Sequence, residues 1–330
     1  MSARTRIVAA VALAAAAAIG VTALVAARGG DDEGGARKGA PPLVLDLGVR
    51  TDAEARALRR ASALYARGRR EQAEGIFDRY TSPAAEIGAA FARWPEGTVA
   101  ALEALAGRRP RDALVLLHLG LARFWSGDER AATATWLSAA EAQPNTISAL
   151  RAEDFLHPET APFIPIFVPG FEPPRAFQRL RNQPAQLFAA LERAARRPDV
   201  RAKLLFGRAL QGLGRQRSAE RQYAAAARLA PRDPEPQVAA ALARYTKSDP
   251  ARAFSRLGPL TRRFPRAPTV RFHLGLTLAW QGQLPAAERQ FRLANRVDPE
   301  SRLGREAATW LRCLEDVKAC TDRTRRTTTR

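Results

Sequence analysis

The two cysteines of the chain, Cys313 and Cys320, are the side chains whose type and spacing suggest covalent chemistry. Outside a reducing cytoplasm, neighbouring cysteines commonly form a disulfide. On an unbroken helix their Cα atoms would lie about 10 Å apart, which is beyond the reach of a disulfide. The sequence therefore predicts either a disulfide, with the last helix ending near Val317, or two free thiols.

No other pattern in the sequence is typical of catalysis or metal binding. It lacks a P-loop, a GxSxG elbow, an HExxH pair and a glycine-rich loop after a strand. The three histidines are dispersed, and no CxxC or Cys/His cluster indicates zinc. We therefore expect a protein without enzymatic activity, cofactor, metal site or small-molecule substrate.

A repeat of 34 residues organises the carboxyl-terminal half of the chain. The turn residues Gly214, Ser248 and Gly282 recur at this spacing, and each is followed by an alanine five residues later and a proline seventeen residues later. Such a period is typical of paired antiparallel helices that stack on one another. The small residues allow close helix crossings, and the proline ends the second helix.

This stretch resembles the tetratricopeptide repeat (TPR) family, and the repeat around Gly120, Trp136 and Pro144 follows the same register. The resemblance implies an all-α, TPR-type helical solenoid of about six repeats in one elongated body. We assign degenerate repeats to 51–156, connecting helices to 175–199, three regular repeats to 200–299 and a capping helix to 300–317. The first helix is expected to begin at Thr51, with Glu54 completing a capping box. Proteins of this family mainly bind other proteins, so the resemblance implies a protein or peptide partner.

Residues 157–174 interrupt the repeats with six prolines in 18 residues, which excludes a helix. Phe163, Phe167 and Phe171 follow one another at intervals of four. One interpretation is a stiff loop that lays these rings over the neighbouring helices. The other is a loop that docks a partner or touches a membrane.

The amino terminus predicts a membrane segment. A basic start at 1–6 precedes 21 uncharged residues at 7–27, which as a helix would span roughly 31 Å and could cross a bilayer. We expect a single-pass anchor with the body outside the cytoplasm; the alternative is a signal peptide cleaved after Ala27, which would give a secreted protein. Residues 28–50 are expected to be a flexible linker, and 318–330 a basic disordered tail.

The resemblance also implies a concave groove lined by the first helix of each repeat. Transferring the family's groove positions onto this sequence gives an apolar, aromatic set: His118, Phe124, Trp125, Arg208, Gln211, Leu242, Tyr245, Phe272, His273, Leu276 and Trp280. These side chains either bind a hydrophobic partner segment or pack against neighbouring helices and the 157–174 loop. The Lys/Asn/Arg set with which some family members bind a terminal carboxylate is missing.

The net charge of +20 supports a second hypothesis, in which a basic surface binds an anionic cell-envelope polymer or another polyanion. Only four of the 53 basic residues are lysine, which indicates a GC-rich coding bias rather than selection for charge. The arginines are spread over all predicted helices, and no aromatic-basic motif appears. We therefore do not expect nucleic acid as a partner.

Overall fold

The computed structural model describes residues 36–315, and in this part of the chain the fold is all-α, with sixteen helices and no strand. The sequence predicted one elongated body. Contacts between residues instead divide the chain into two compact units that meet in sequence at Leu156 and His157, where the repeat pattern breaks. The described residues of the first unit are 36–156, and those of the second are 157–315.

The first unit consists of three helical hairpins and a closing helix. The hairpins are α1 (Ala53–Ala66) with α2 (Arg70–Phe77), α3 (Pro83–Ala92) with α4 (Thr98–Arg108), and α5 (Ala113–Trp125) with α6 (Glu129–Ala142). The closing helix α7 (Ile147–Leu156) packs on α5 and α6.

The second unit has the same plan, preceded by α8 (Arg175–Gln178) and α9 (Pro184–Ala195). Its hairpins are α10 (Val200–Gly212) with α11 (Gln216–Leu229), α12 (Pro234–Leu242) with α13 (Ala251–Arg263), and α14 (Pro268–Trp280) with α15 (Leu284–Val297). The closing helix α16 (Arg302–Glu315) packs on α14 and α15. The described chain thus contains six hairpins, in agreement with the predicted number of repeats.

The first and third hairpins of each unit turn through a glycine with positive φ: Gly68, Gly127, Gly214 and Gly282. The N–H of Gly214 bonds to the Gln211 carbonyl and that of Arg215 to the Leu210 carbonyl, so helix-end carbonyls are satisfied. The middle hairpins have longer turns, over 93–97 and 243–250. Ser248 therefore does not occupy a tight turn, and Tyr245 lies in the turn rather than on the helix where it was predicted.

Small residues at the helix crossings are confirmed as the packing signal. A Cβ atom on Gly207 would lie 2.4 Å from the Tyr223 ring, and one on Gly275 would lie 2.9 Å from the Phe291 ring. In both cases the ring comes from the second helix of the same hairpin.

The predicted capping box at Thr51 and Glu54 is wrong. Asp52 is the N-cap of α1, and its carboxylate accepts a 2.9 Å hydrogen bond from the N–H of Ala55. A carboxylate at this position satisfies a free helix N–H and complements the helix dipole. Glu54 instead pairs with Arg50 at 3.0 Å.

Between residues 36 and 315, no helix is long and apolar enough to cross a membrane. The predicted anchor at 7–27 and the basic tail at 318–330 lie outside the residues that the structure describes.

Candidate functional site

The predicted groove residues of the second unit lie against residues 157–174, which we call the second strap. Phe167 of this strap is fully buried. Its ring stacks on the His273 imidazole at 5.0 Å and meets Tyr223 at 5.6 Å, while its backbone N–H donates to Gln211 Oε1 at 3.0 Å. At Phe167, the Pro/Phe-rich loop therefore packs on the helices.

His273 binds the strap through a fixed tautomer. Its Nδ1 lies 2.8 Å from the Thr269 carbonyl oxygen one turn earlier, which assigns the proton to Nδ1. Nε2 is then an acceptor, and it receives a 3.0 Å hydrogen bond from the N–H of Val168. Burial lowers the pKa of His273 to about 4, so the ring is neutral at pH 7.

The strap also closes the carboxyl end of α14. The carbonyl of Trp280 accepts a 3.0 Å hydrogen bond from the N–H of Ala161, which satisfies an acceptor that the helix itself leaves open. The Trp280 indole donates to the Pro162 carbonyl at 3.2 Å, and the buried Lys247 ammonium donates to the Ala161 carbonyl at 2.8 Å. These hydrogen bonds thus all go to backbone atoms of the strap.

Charged side chains hold the far end of the second strap. Both carboxylate oxygens of Glu235 accept the Gly170 N–H, at 2.9 and 3.1 Å. Burial raises the pKa of Glu235 to about 7, although the bond from Gly170 acts in the opposite direction. Arg302 donates to the Phe171 carbonyl at 2.7 Å, and the Arg201 guanidinium lies over the Phe171 ring.

The first unit holds residues 36–48, which we call the first strap, in a similar groove. Val44 donates its N–H to His118 Nε2 at 3.2 Å, and His118 Nδ1 lies 2.7 Å from the Leu114 carbonyl oxygen. Burial lowers the pKa of His118 to about 4. Tyr65 donates its hydroxyl to the Pro41 carbonyl at 2.5 Å. Residues 28–50 were predicted to be a flexible linker, and this expectation is wrong for the strap because its backbone is bound to the helices.

Arg37 fixes the start of the first strap. Its N–H donates to the Trp125 carbonyl at the end of α5, at 2.8 Å. Its guanidinium lies 3.8 Å from the centre of the Phe124 ring and pairs with Glu129 at 2.7 Å. The predicted groove residues Phe124 and Trp125 are thus in contact with the strap.

The two grooves hold their straps in one register. In each groove, a histidine accepts one strap N–H, and the carbonyl of the tryptophan seven residues after it accepts another. The strap donors are also seven residues apart, at 37 and 44 in the first strap and at 161 and 168 in the second. Gly39 has φ of +80° and Phe163 has φ of +59°, and each lies two residues after the first donor. Both straps therefore bend at the same point.

The helices that carry the two histidines match at an offset of 155 residues. Residues of α5 and of the turn after it recur in α14 and its turn: Val115, His118, Leu119, Gly120, Leu121, Trp125 and Gly127 correspond to Val270, His273, Leu274, Gly275, Leu276, Trp280 and Gly282. Ring stacks recur too, since Trp136 on Phe155 at 4.6 Å matches Phe291 on Trp310 at 5.5 Å. The first strap was not predicted from the sequence, whereas packing of residues 157–174 on the helices was one of its two interpretations. The two straps share the signal Pro-x-apolar-Val at 41–44 and 165–168.

Most of the predicted groove residues are buried within their own unit rather than exposed to a partner. The side chains of His118, Phe124, Trp125, Gln211, Leu242, Tyr245, Phe272, His273, Leu276 and Trp280 are buried, whereas Arg208 is exposed. Phe163 and Phe171 are half-buried. Neither groove is open in this conformation, and partner binding there stays a prediction.

Cys313 is buried on α16 and is disulfide-bonded. Cys320 lies beyond the described residues, so the pairing of the two stays a prediction. Across residues 36–315 no group of three or more His, Cys, Asp or Glu side chains is placed to hold a metal ion.

The positive charge is concentrated in the second unit. Residues 157–315 contain 28 Lys and Arg against 13 Asp and Glu, whereas residues 36–156 contain 17 against 15. Arg228, Arg262 and Arg296 are exposed at intervals of 34 residues on α11, α13 and α15. At the 155-residue offset, Arg296 corresponds to Glu141 of the first unit. The two units thus differ in surface charge.

No protein-family model and no curated protein matches the sequence. Three solved structures are similar to it: yeast Tom70 at 15% identity and TM-score 0.36, the TPR2AB domain of yeast Sti1 in a pHSP90 complex at 12% and 0.27, and the Cut9–Hcn1 hetero-tetramer of APC/C at 14% and 0.26. The matches cover 86%, 80% and 80% of this chain and 55%, 98% and 56% of the other chains. The chain thus spans about half the length of the Tom70 chain that it matches.

Proposed function

We propose that this protein is a membrane-tethered, non-enzymatic scaffold that binds a protein partner in the cell envelope through the grooves of its two units. The observation that supports this most is the way each groove holds an extended chain, by a histidine acceptor and a helix-end carbonyl. Contacts of this kind recognise peptide backbone, with side-chain pockets adding selectivity.

The uncharged segment at 7–27 and the basic start before it support the tether. In this proposal the protein is a single-pass membrane protein with its body outside the cytoplasm. Cleavage after Ala27 would instead release the same scaffold as a secreted protein.

The buried groove residues determine how the proposal is tested. Replacing Trp280 and Tyr245 by alanine would remove two side chains that are 2% and 1% exposed, and each loss would cost about 3–5 kcal/mol of stability. Loss of partner capture by such a variant would therefore not distinguish binding from folding. Exposed positions beside the straps are the better choice.

The test uses a photo-reactive residue in place of Arg201, which lies over the second strap, or of Glu129, which is exposed on α6 beside Arg37 of the first strap. The matched control is the same residue in place of Arg289, exposed on α15. We expect one protein to crosslink in membranes from both groove positions and not from Arg289. Equal crosslinking at Arg289, or none at the groove positions, would contradict a groove-bound partner.

A second candidate function is binding of an anionic envelope polymer by the second unit, and the concentration of charge in residues 157–315 favours it. Replacing Arg228, Arg262 and Arg296 together by glutamine tests it. Polyanion binding should weaken and lose most of its dependence on salt, while crosslinking at the grooves should not change. Unchanged binding would exclude this surface.

A further inference from the structure

Each groove discriminates among extended segments by a small set of features that its own strap reveals. A free backbone N–H must meet the histidine Nε2, because the Nδ1 proton is committed to the helix. A buried proline, Pro41 or Pro165, lies three residues before that donor. The residue immediately before the donor, Leu43 or Phe167, is apolar and packs toward the core of its unit.

The size of that apolar residue is matched to the groove. Two rings lie beside the histidine of the second groove: Phe167 of the strap stacks on His273 at 5.0 Å, and Phe272 of α14 meets it at 5.2 Å. In the first groove the ring belongs to the helices, because Phe91 of α3 meets His118 at 5.2 Å, and the strap supplies the smaller Leu43. Leu242 of α12 corresponds to Phe91 of α3, because each lies eight residues after the first proline of its helix. Where the helix residue is large, at Phe91, the strap residue is small, at Leu43. Where the helix residue is small, at Leu242, the strap residue is large, at Phe167.

The two straps are not equally buried. Phe167 is fully buried, whereas its counterpart Leu43 in the first strap is half-buried; the donors Val44 and Val168 are both half-buried. The second strap also receives Lys247 on its Ala161 carbonyl and Glu235 on its Gly170 N–H. Exchange of a strap for another segment is therefore easier in the first groove.

We propose that the first groove is a binding site for an extended partner segment carrying Pro-x-Leu-Val, and that the first strap is the resident segment that such a partner displaces. This inference rests on the proposed function and specifies its partner. The partner's backbone takes the place of residues 37–44, with its leucine at the position of Leu43 and its next N–H on His118 Nε2. A tethered strap competes at a high effective concentration, so exchange requires a partner that binds tightly or is itself held nearby.

The experiment uses the full chain and a fluorescent synthetic peptide with the sequence of residues 36–48. In the strap variant Leu43→Asp with Val44→Pro, an acidic side chain replaces the apolar contact and the N–H donor is lost. Anisotropy should show the peptide binding this variant at least about tenfold more tightly than the wild type, because the internal competitor is weakened. Circular dichroism checks that the helices are retained, and Val44→Pro alone serves if the double variant unfolds.

Specificity is tested in the same background. Adding His118→Ala should reduce peptide binding about fivefold or more, since the Nε2 acceptor is removed, whereas Arg289→Ala, at an exposed position on α15, should leave it unchanged. A peptide with phenylalanine in place of Leu43 should bind more weakly, because Phe91 already fills the space. Equal peptide binding by wild type and strap variant, no binding by either, or binding insensitive to His118→Ala would overturn the proposal. Crosslinking of a partner beside Arg201 would survive that failure, so the two proposals can fail separately.

Discussion

Lowering the pH from 7 to 5 is expected to destabilise the first unit through His118. Its pKa is about 4 in the folded protein, against 6.5 for the ordinary side chain. At pH 7 the ring is neutral in both states and contributes nothing to the pH dependence. Between pH 6.5 and 4 the unfolded chain binds a proton that the folded chain excludes, so stability falls as the pH falls.

The size of the effect follows from the two pKa values. The free energy of unfolding should decrease by about 2 kcal/mol at pH 5 and about 3 kcal/mol at pH 4 from this residue. The physical cause is twofold: the ring is fully buried, and a proton on Nε2 would face the N–H of Val44 instead of accepting from it.

Urea unfolding of the wild type and of His118→Gln at pH 7 and pH 5 measures the effect. The variant should be less stable at pH 7, but it should lose about 2 kcal/mol less than the wild type between the two pH values. His273 remains in both proteins, so its own contribution cancels in the comparison. Equal losses in the two proteins, or a His118 NMR signal that titrates near pH 6.5, would refute this account of the groove.

Three further predictions concern other parts of the chain. Gly275→Leu and Ala287→Leu should each overpack a helix crossing and lower stability by about 1–3 kcal/mol, while the exposed Arg289→Ala changes little; equal melting temperatures would contradict the assigned crossings. The raised pKa of Glu235 means that its stabilising contribution is present at low pH and is lost as the pH rises through about 7, so Glu235→Gln should flatten the stability profile between pH 5 and 8. If the uncharged amino-terminal segment is an anchor, protease added to intact spheroplasts should degrade residues 28–330, and protection until the membrane is lysed would exclude an extracytoplasmic body.

The features that the sequence predicted correctly are those with local causes. Gly207 and Tyr223 are sixteen residues apart in one hairpin, so the close crossing is written into a short stretch of chain. The straps are different, because the hydrogen bond from Val44 reaches His118 across 74 residues and that from Val168 reaches His273 across 105. Proline content predicts that such segments are extended, but it does not show which surface they cover.

For the groove residues, the sequence likewise predicted their positions but not what covers them. Their positions on the first helices of the hairpins follow from the repeat register, and His118 and His273 were assigned to the groove for that reason. Their occupancy depends on a segment that lies elsewhere in the sequence. The same holds for Tyr245, whose place in a long turn depends on α12 ending at Leu242, four residues earlier than the register of the neighbouring hairpins suggests.

The second strap changes how unfolding of its unit should spread. In a stack of hairpins each repeat contacts only its neighbours, so the ends can fray while the middle stays folded. This strap bonds to Gln211 on α10, Glu235 on α12, His273 on α14 and Arg302 on α16. It therefore couples hairpins that are not adjacent in the stack, and opening of any one of them releases contacts that the others share. The unit should consequently unfold in a single cooperative step, with uniform hydrogen-exchange protection from α10 to α16 rather than a gradient toward its ends.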